Sequence, residues 1–181
     1  SCGHAKYAIP NQVWENQFIT REDVVISPKD SFYARYFLDG YTHPAFYSPT
    51  DVLVTNSSGN FERVQSLTIA ETHVFNANMV NTFHLTGTRR RLNRGPASTG
   101  INASNLGINM WTPNGPSLGV IVTGKWSTYQ GGVGSHFNDN MFSIADDVNM
   151  THGKHMIAFG GEYVRNQLNI WNGYQAYGQF N

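Results

Sequence analysis

The sequence is poor in cysteine and in charge: Cys2 stands alone, and Asp, Glu, Lys and Arg together make up 13% of its 181 residues, against roughly 25% in a typical soluble domain. One cysteine excludes an internal disulfide framework and any cysteine-based zinc site within the chain. Acidic and basic residues cancel to a formal net charge of +0, so no overall field draws nucleic acid, which is not expected as a partner. Apolar runs never approach the roughly 20 residues of a membrane helix, and the start of the sequence shows no charged segment followed by an apolar one. Helical membrane spans are thereby excluded. Spanning by strands is not, because a transmembrane β-strand needs only about 9–11 residues with every second one apolar. A mean hydropathy of −0.38 fits such a chain and a soluble β protein equally.

What the sequence does have is aromatics, at 13%, and a recurring period of 2 in place of the helical 3.6. Phe18 to Ile26 alternates, Ser27-Pro28-Lys29-Asp30 is a compact turn, and Ser31 to Leu38 returns with Phe32, Ala34, Tyr36 and Leu38 on one side and Tyr33, Arg35 and Phe37 on the other. Arg63 to Phe75 and Val80 to Thr88 form a second hairpin about Asn76-Ala77-Asn78. Its return arm sets Phe83, Leu85 and Gly87 against Thr82, His84, Thr86 and Thr88, apolar on one face and wholly polar on the other. In a third hairpin, Met141 to Met150 has Phe142, Ile144, Val148 and Met150 on a face interrupted by Asp146. After His152-Gly153-Lys154 the chain returns through Ile157, Phe159, Gly161, Tyr163 and Arg165.

Between the hairpins the residues read as long irregular connections. Asp39 to about Phe61 is rich in Gly, Pro, Asn and Ser, with a short Val52-Leu53-Val54 strand inside it. Residues 89 to about 136 open on Arg89, Arg90, Arg91 and Arg94 and contain one apolar run, Leu118 to Val122. Very short turns alternating with long loops are the asymmetry of bacterial outer-membrane barrels, whereas soluble sandwiches space their turns more evenly. The expected fold class is all-β: antiparallel up-and-down hairpins forming part of a transmembrane β-barrel.

The segments Ile19 to Asp23, Ser27 to Ser31, Arg35 to Phe37, Thr72 to Phe75, Met79 to Asn81 and above all Gly153-Lys154-His155-Met156-Ile157-Ala158-Phe159-Gly160-Gly161-Glu162-Tyr163 resemble the barrel hairpins of Oar-like TonB-dependent receptors, common in soil Acidobacteria. The resemblance covers nearly the whole chain. It implies that residues 1–181 are a partial barrel domain whose parent also carries a carboxypeptidase regulatory-like domain and a plug, neither of which is seen here. Three hairpins supply about six strands, fewer than the eight or so of the smallest bacterial barrels. The resemblance further implies a cell outer membrane location in a Gram-negative bacterium, contact with outer-membrane lipid and lipopolysaccharide, and uptake of a nutrient such as a siderophore or oligosaccharide, driven by a TonB complex acting on the plug. It implies no cofactor, and a partner for Cys2 upstream in an extracellular loop.

Candidate sites are few. His152 and His155 flank a turn without a third ligand at metal spacing, and the other histidines are scattered, so no metal site is expected. Asp146 and Asp147 are adjacent and point to opposite faces of a strand, a poor carboxylate pair with Glu162 for glycoside hydrolysis. With no HExxH, GxSxG or Walker-type sequence either, no catalytic residue is expected. Trp111, Trp126, Tyr129 and Trp171 are candidate sugar-stacking or girdle aromatics. Arg35 and Glu162 are candidate ligand-binding residues, and together with Asp147 candidate lumen residues. The Arg89-Arg90-Arg91 cluster reads as a solvated loop entrance, with the alternative of a clamp for phosphates such as those of lipopolysaccharide at the outer rim. The alternative function is a soluble all-β carbohydrate-binding module, and a third a β-sandwich hydrolase.

Overall fold

A computed structural model describes residues 8, 10–50, 58–97, 102–110, 119–122, 126–127, 134–173 and 179–180. The alternating segments form strands β1 (Trp14–Val25), β2 (Asp30–His43), β3 (Ser58–Asn76) and β4 (Met79–Pro96). After a short 3-10 turn at Ser104–Leu106 come β5 (Gly119–Val122), β6 (Trp126–Ser127), β7 (Ser135–His152), β8 (His155–Asn172) and β9 (Gln179–Phe180). The six long strands make one sheet in the order β1-β2-β3-β4-β7-β8, every neighbouring pair antiparallel. This is the expected run of up-and-down hairpins. A separate sheet, β6-β5-β9, contains one parallel pairing, Gly119 with Gln179 and Val120 with Phe180. The apolar run within the second long connection is therefore a strand, and the end of the sequence pairs with it.

The short turns arise from local chemistry. At the first, the Ser27 side-chain oxygen accepts from the amides of Lys29 and Asp30 at 3.1 Å each, and the Ile26 amide donates to the Asp30 carbonyl at 2.9 Å. At the second, the Asn76 side chain accepts from the Asn78 amide at 2.9 Å. The third has two central residues, Gly153 and Lys154, between paired His152 and His155, and Gly153 sits at φ 61°. Tight hairpins favour that left-handed first position because it matches the twist of the strands, and only glycine adopts it without steric cost.

The strands run further than alternation alone indicates. β2 continues to His43 and β3 begins at Ser58, so the expected loop from Asp39 to Phe61 contracts to its central part, and Val52-Leu53-Val54 lies outside the described residues. Likewise β4 continues through the arginines to Pro96 and β7 starts at Ser135. The Arg89-Arg90-Arg91 cluster is thus not a loop entrance but part of a central strand, paired with β3 on one side and β7 on the other. At about 3.4 Å per residue, the 18 residues of β4, β7 and β8 reach roughly 60 Å, about twice what a tilted strand needs to cross a bilayer.

Burial alternates in the opposite sense to a soluble sheet. On β3, Phe61, Arg63, Leu67 and Glu71 are exposed while Thr68 and Ala70 are buried; on β7, Phe142 and Ile144 are exposed and Ser143 is buried. Register carries this across the sheet: Tyr36, Leu67, Gly87 and Phe142 share the exposed face, and Thr68, Thr86 and Ser143 share the enclosed one. The apolar residues of the exposed face form a band, Phe32 to Leu38 on β2, Leu67 and Ile69 on β3, Phe83 to Gly87 on β4, Phe142 and Ile144 on β7, and Ile157 to Tyr163 on β8. Along the sheet the band drifts toward the short turns, which is what strands tilted to a common axis produce. Replacing Gly153 by Ala forces an L side chain into the left-handed region; a loss of about 1–2 kcal/mol is expected, measured as a lower urea midpoint of the protein folded in lipid.

Candidate functional site

The enclosed face mixes small polar side chains with charged ones and with bulky ones such as Tyr33, Phe37, Phe137 and Met141. Crossing the sheet from β1 to β8, one row reads Arg21, Arg35, Thr68, Thr86, Ser143, Val164 and the next Asp23, Tyr33, Ala70, His84, Ala145, Glu162. Hydroxyls bridge strands here: Thr86 donates to Thr68 at 3.2 Å, and Ser66 and Thr88 lie 3.0 Å apart. Arg21 binds Asp23 at 2.6 Å and lies 4.0 Å from the centre of the Tyr33 ring, which turns it away from Arg35 directly opposite. Nearer the long loops, Arg90 pairs with Glu62, and Asp39 and Asp139 face the same side. Such a wall suits water and polar solutes, not a hydrophobic core.

Arg35, Asp147 and Glu162 all belong to this face, as their alternation suggests. They do not form a cluster: three strands separate Arg35 on β2 from Glu162 on β8, roughly 19 Å at the usual strand spacing. Of the candidate aromatics, Trp111 and Tyr129 lie outside the described residues, and Trp126 opens β6. Trp171 is on the opposite, exposed face, stacked on His136 with ring centres 5.5 Å apart. It shares a row with Trp14, Thr42, Phe61, Asn93 and His136 at the long-loop end.

The exposed face therefore carries an apolar band, with polar residues and the aromatics Trp14, Phe61 and Trp171 toward the long loops. The chain matches, over residues 4–181, the family model described as an outer membrane beta barrel domain. It belongs to that family. No curated protein and no solved structure gives a match. As an outer-membrane barrel protein, the chain crosses the bilayer with its strands, and the inverted burial acquires a direct physical reading: the exposed band meets lipid, and the polar wall meets the barrel interior. Asp146, the one charge interrupting the apolar side of β7, lies toward the short turns, where the Asn81 side chain donates to it at 2.5 Å.

At the short-turn end of the exposed face, register brings one residue of β2 beside two of β3. Asp30, Glu71 and His73 offer ligand atoms all within 4.8 Å of one another, a grouping that sequence spacing does not reveal because it spans two strands. His73 Nδ1 lies 2.5 Å from Asp30, and the Ser27 hydroxyl donates to the other Asp30 oxygen. These bonds engage both Asp30 oxygens and tie the first turn to β3.

Two predictions follow from these faces. Ile144→Arg puts a guanidinium into lipid and costs about 2–4 kcal/mol, while Ala145→Arg, one residue on and beside Glu162 on the watery side, folds with little loss; heat-modifiable gel mobility and refolding yield into vesicles distinguish the two. Asp30 titrates below the ordinary carboxylate range, chiefly because of the Ser27 hydroxyl and then His73. Its contribution to the turn is fully present above that ordinary range and is lost as pH falls through the lowered value. Hydrogen exchange at the Val74 amide, which donates to the Lys29 carbonyl at 2.8 Å, is expected to accelerate over that acid window, and Asp30→Asn is expected to remove the dependence.

Proposed function

We propose that this chain is the barrel portion of a TonB-dependent-receptor-type transporter that takes up a nutrient ligand through the outer membrane without chemical change. The observation that carries the reading is the enclosed face, where hydroxyls and charges of both signs, Arg21, Arg35, Asp147 and Glu162, run along strands far longer than the bilayer requires. A wide barrel has room for an aqueous lumen and for a plug to occupy it. Among the described residues the outer edges of β1 and β8 have no strand partner, and an open edge is not tolerated in lipid, so a closed barrel pairs them.

The polar wall offers hydrogen-bonding hydroxyls and scattered charges, a chemistry matched to siderophores or oligosaccharides and not to apolar solutes.

The test is uptake by the intact protein in a Gram-negative host, with and without a working TonB complex, using labelled ferric siderophores and oligosaccharides. Uptake lost with the TonB complex, and lowered several-fold by Arg35→Ala or Glu162→Ala with unchanged surface expression, is the expected result. Uptake indifferent to the TonB complex would sink the receptor reading and leave a passive channel. Turnover of the ligand by the purified protein would sink the non-catalytic one.

A further inference from the structure

The lipid-facing side of the sheet has a charge pattern that neither membrane crossing nor ligand uptake requires. Among the described residues, its arginines, Arg63, Arg89, Arg91 and Arg165, all lie on the long-loop half of their strands. Its carboxylates, Glu22, Asp30, Glu71 and Asp146, all lie on the short-turn half. Arg63 and Arg91 are direct cross-strand partners, and Arg89, opposite Gln65, is next along the same face. Like charges so placed repel and destabilise a strand pair unless an anion lies between them. Among the described residues none of these arginines has a carboxylate partner. Arg90, between two of them in sequence, faces inward and pairs with Glu62.

We propose that Arg63, Arg89 and Arg91 form a binding site for the phosphate groups of lipopolysaccharide in the outer leaflet. Depth supports this: one outward row beyond Gln65 and Arg89 toward the short turns, Leu67 and Gly87 begin the apolar band, so the guanidinium groups stand at the level where acyl chains give way to headgroups. With short turns on the periplasmic side, that level belongs to the outer leaflet. Planar guanidinium forks grip phosphate through paired, charge-assisted hydrogen bonds that a lysine cannot reproduce.

A second feature favours a glycolipid over a simple phospholipid. A recess of about 280 Å³ opens beside the arginines, bordered by Thr42, Phe61, Arg63, Arg91 and Asn93. Glu62 also borders it, with its carboxylate held by Arg90. Beyond the arginines, away from lipid, the outward row carries exposed Trp14, Phe61 and Trp171, aromatic faces at a depth where a phospholipid ends and only a sugar core continues. The site rests on the outer-membrane location alone and is independent of the transport reading.

The test uses the full-length protein, extracted from outer membranes in mild detergent, with bound lipopolysaccharide counted by native mass spectrometry. It is then titrated in phosphatidylcholine vesicles with lipopolysaccharide, with phosphatase-treated lipopolysaccharide, with phosphatidylglycerol and with inorganic phosphate. Arg63→Gln/Arg89→Gln/Arg91→Gln is expected to weaken lipopolysaccharide binding by about tenfold or more, with Lys29→Gln at the opposite end unchanged and heat-modifiable mobility retained. Should the triple variant fail to fold, Arg91→Gln alone is expected to weaken binding several-fold, and phosphatase treatment of the lipid is expected to do the same to the unaltered protein. Equal binding of the dephosphorylated lipid, equal binding of phosphatidylglycerol, saturation by inorganic phosphate alone, or binding unaffected by the variants would each overturn the proposal.

Discussion

A backbone amide left unpaired in hydrocarbon costs several kcal/mol, because no water is there to accept it. That constraint organises the rest of this structure. It requires each strand to be bonded on both sides, which β2, β3, β4 and β7 are along most of their length. It also confines irregular backbone to the strand ends outside the bilayer. Once backbone polarity is absorbed by the ladders, side chains alone decide which face meets lipid. The apolar set goes outward and small hydroxyls go inward, the reverse of a soluble sheet.

The same constraint explains the asymmetry between the two ends. Connections on one side are reduced to turns that close by their own hydrogen bonds, through Ser27, Asn76 and Gly153, and the Asp30–His73 contact ties the first turn to β3. On the other side the strands continue well beyond the lipid before the chain becomes irregular. There both faces are wet, and the selection for alternation weakens. Residues such as Arg89 to Arg94 can then occupy a strand without an apolar face, provided its ladder partners continue alongside.

This is also why the fold was legible in the sequence in one zone and not in another. Within the lipid zone Phe83, Leu85 and Gly87 against Thr82, Thr86 and Thr88 declare a strand and its two faces, and Ser-Pro-Lys-Asp and His-Gly-Lys declare turns. Beyond it Asp39 to His43 and Arg89 to Pro96 carry the charge and glycine of a loop, yet they pair as strand because β3 is long enough to hold both. Cross-strand groupings such as Asp30 with Glu71 and His73, or Arg63 with Arg91, depend on register. Register is fixed by the turns, and each shift of one residue would exchange the faces, so such sites emerge only when the turns and strands are combined.

Alternation alone does not say which face is outward: Phe32, Tyr36 and Leu38 oppose Tyr33 and Phe37 on β2, and either set suits an interface. The ambiguity is resolved by neighbours. On β3 and β4, Thr68, Thr86 and Thr88 cannot face lipid in a row, and once those strands are oriented the ladder orients β2, with Arg35 on the inner side and Tyr36 on the outer. Charge follows from the same choice. Inward charges can pair with one another through water or directly, as Arg90 does with Glu62. An outward guanidinium has only the membrane and its own face to answer it, so the position of Arg63, Arg89 and Arg91 at the edge of the apolar band is a statement about that membrane's headgroups as much as about the protein.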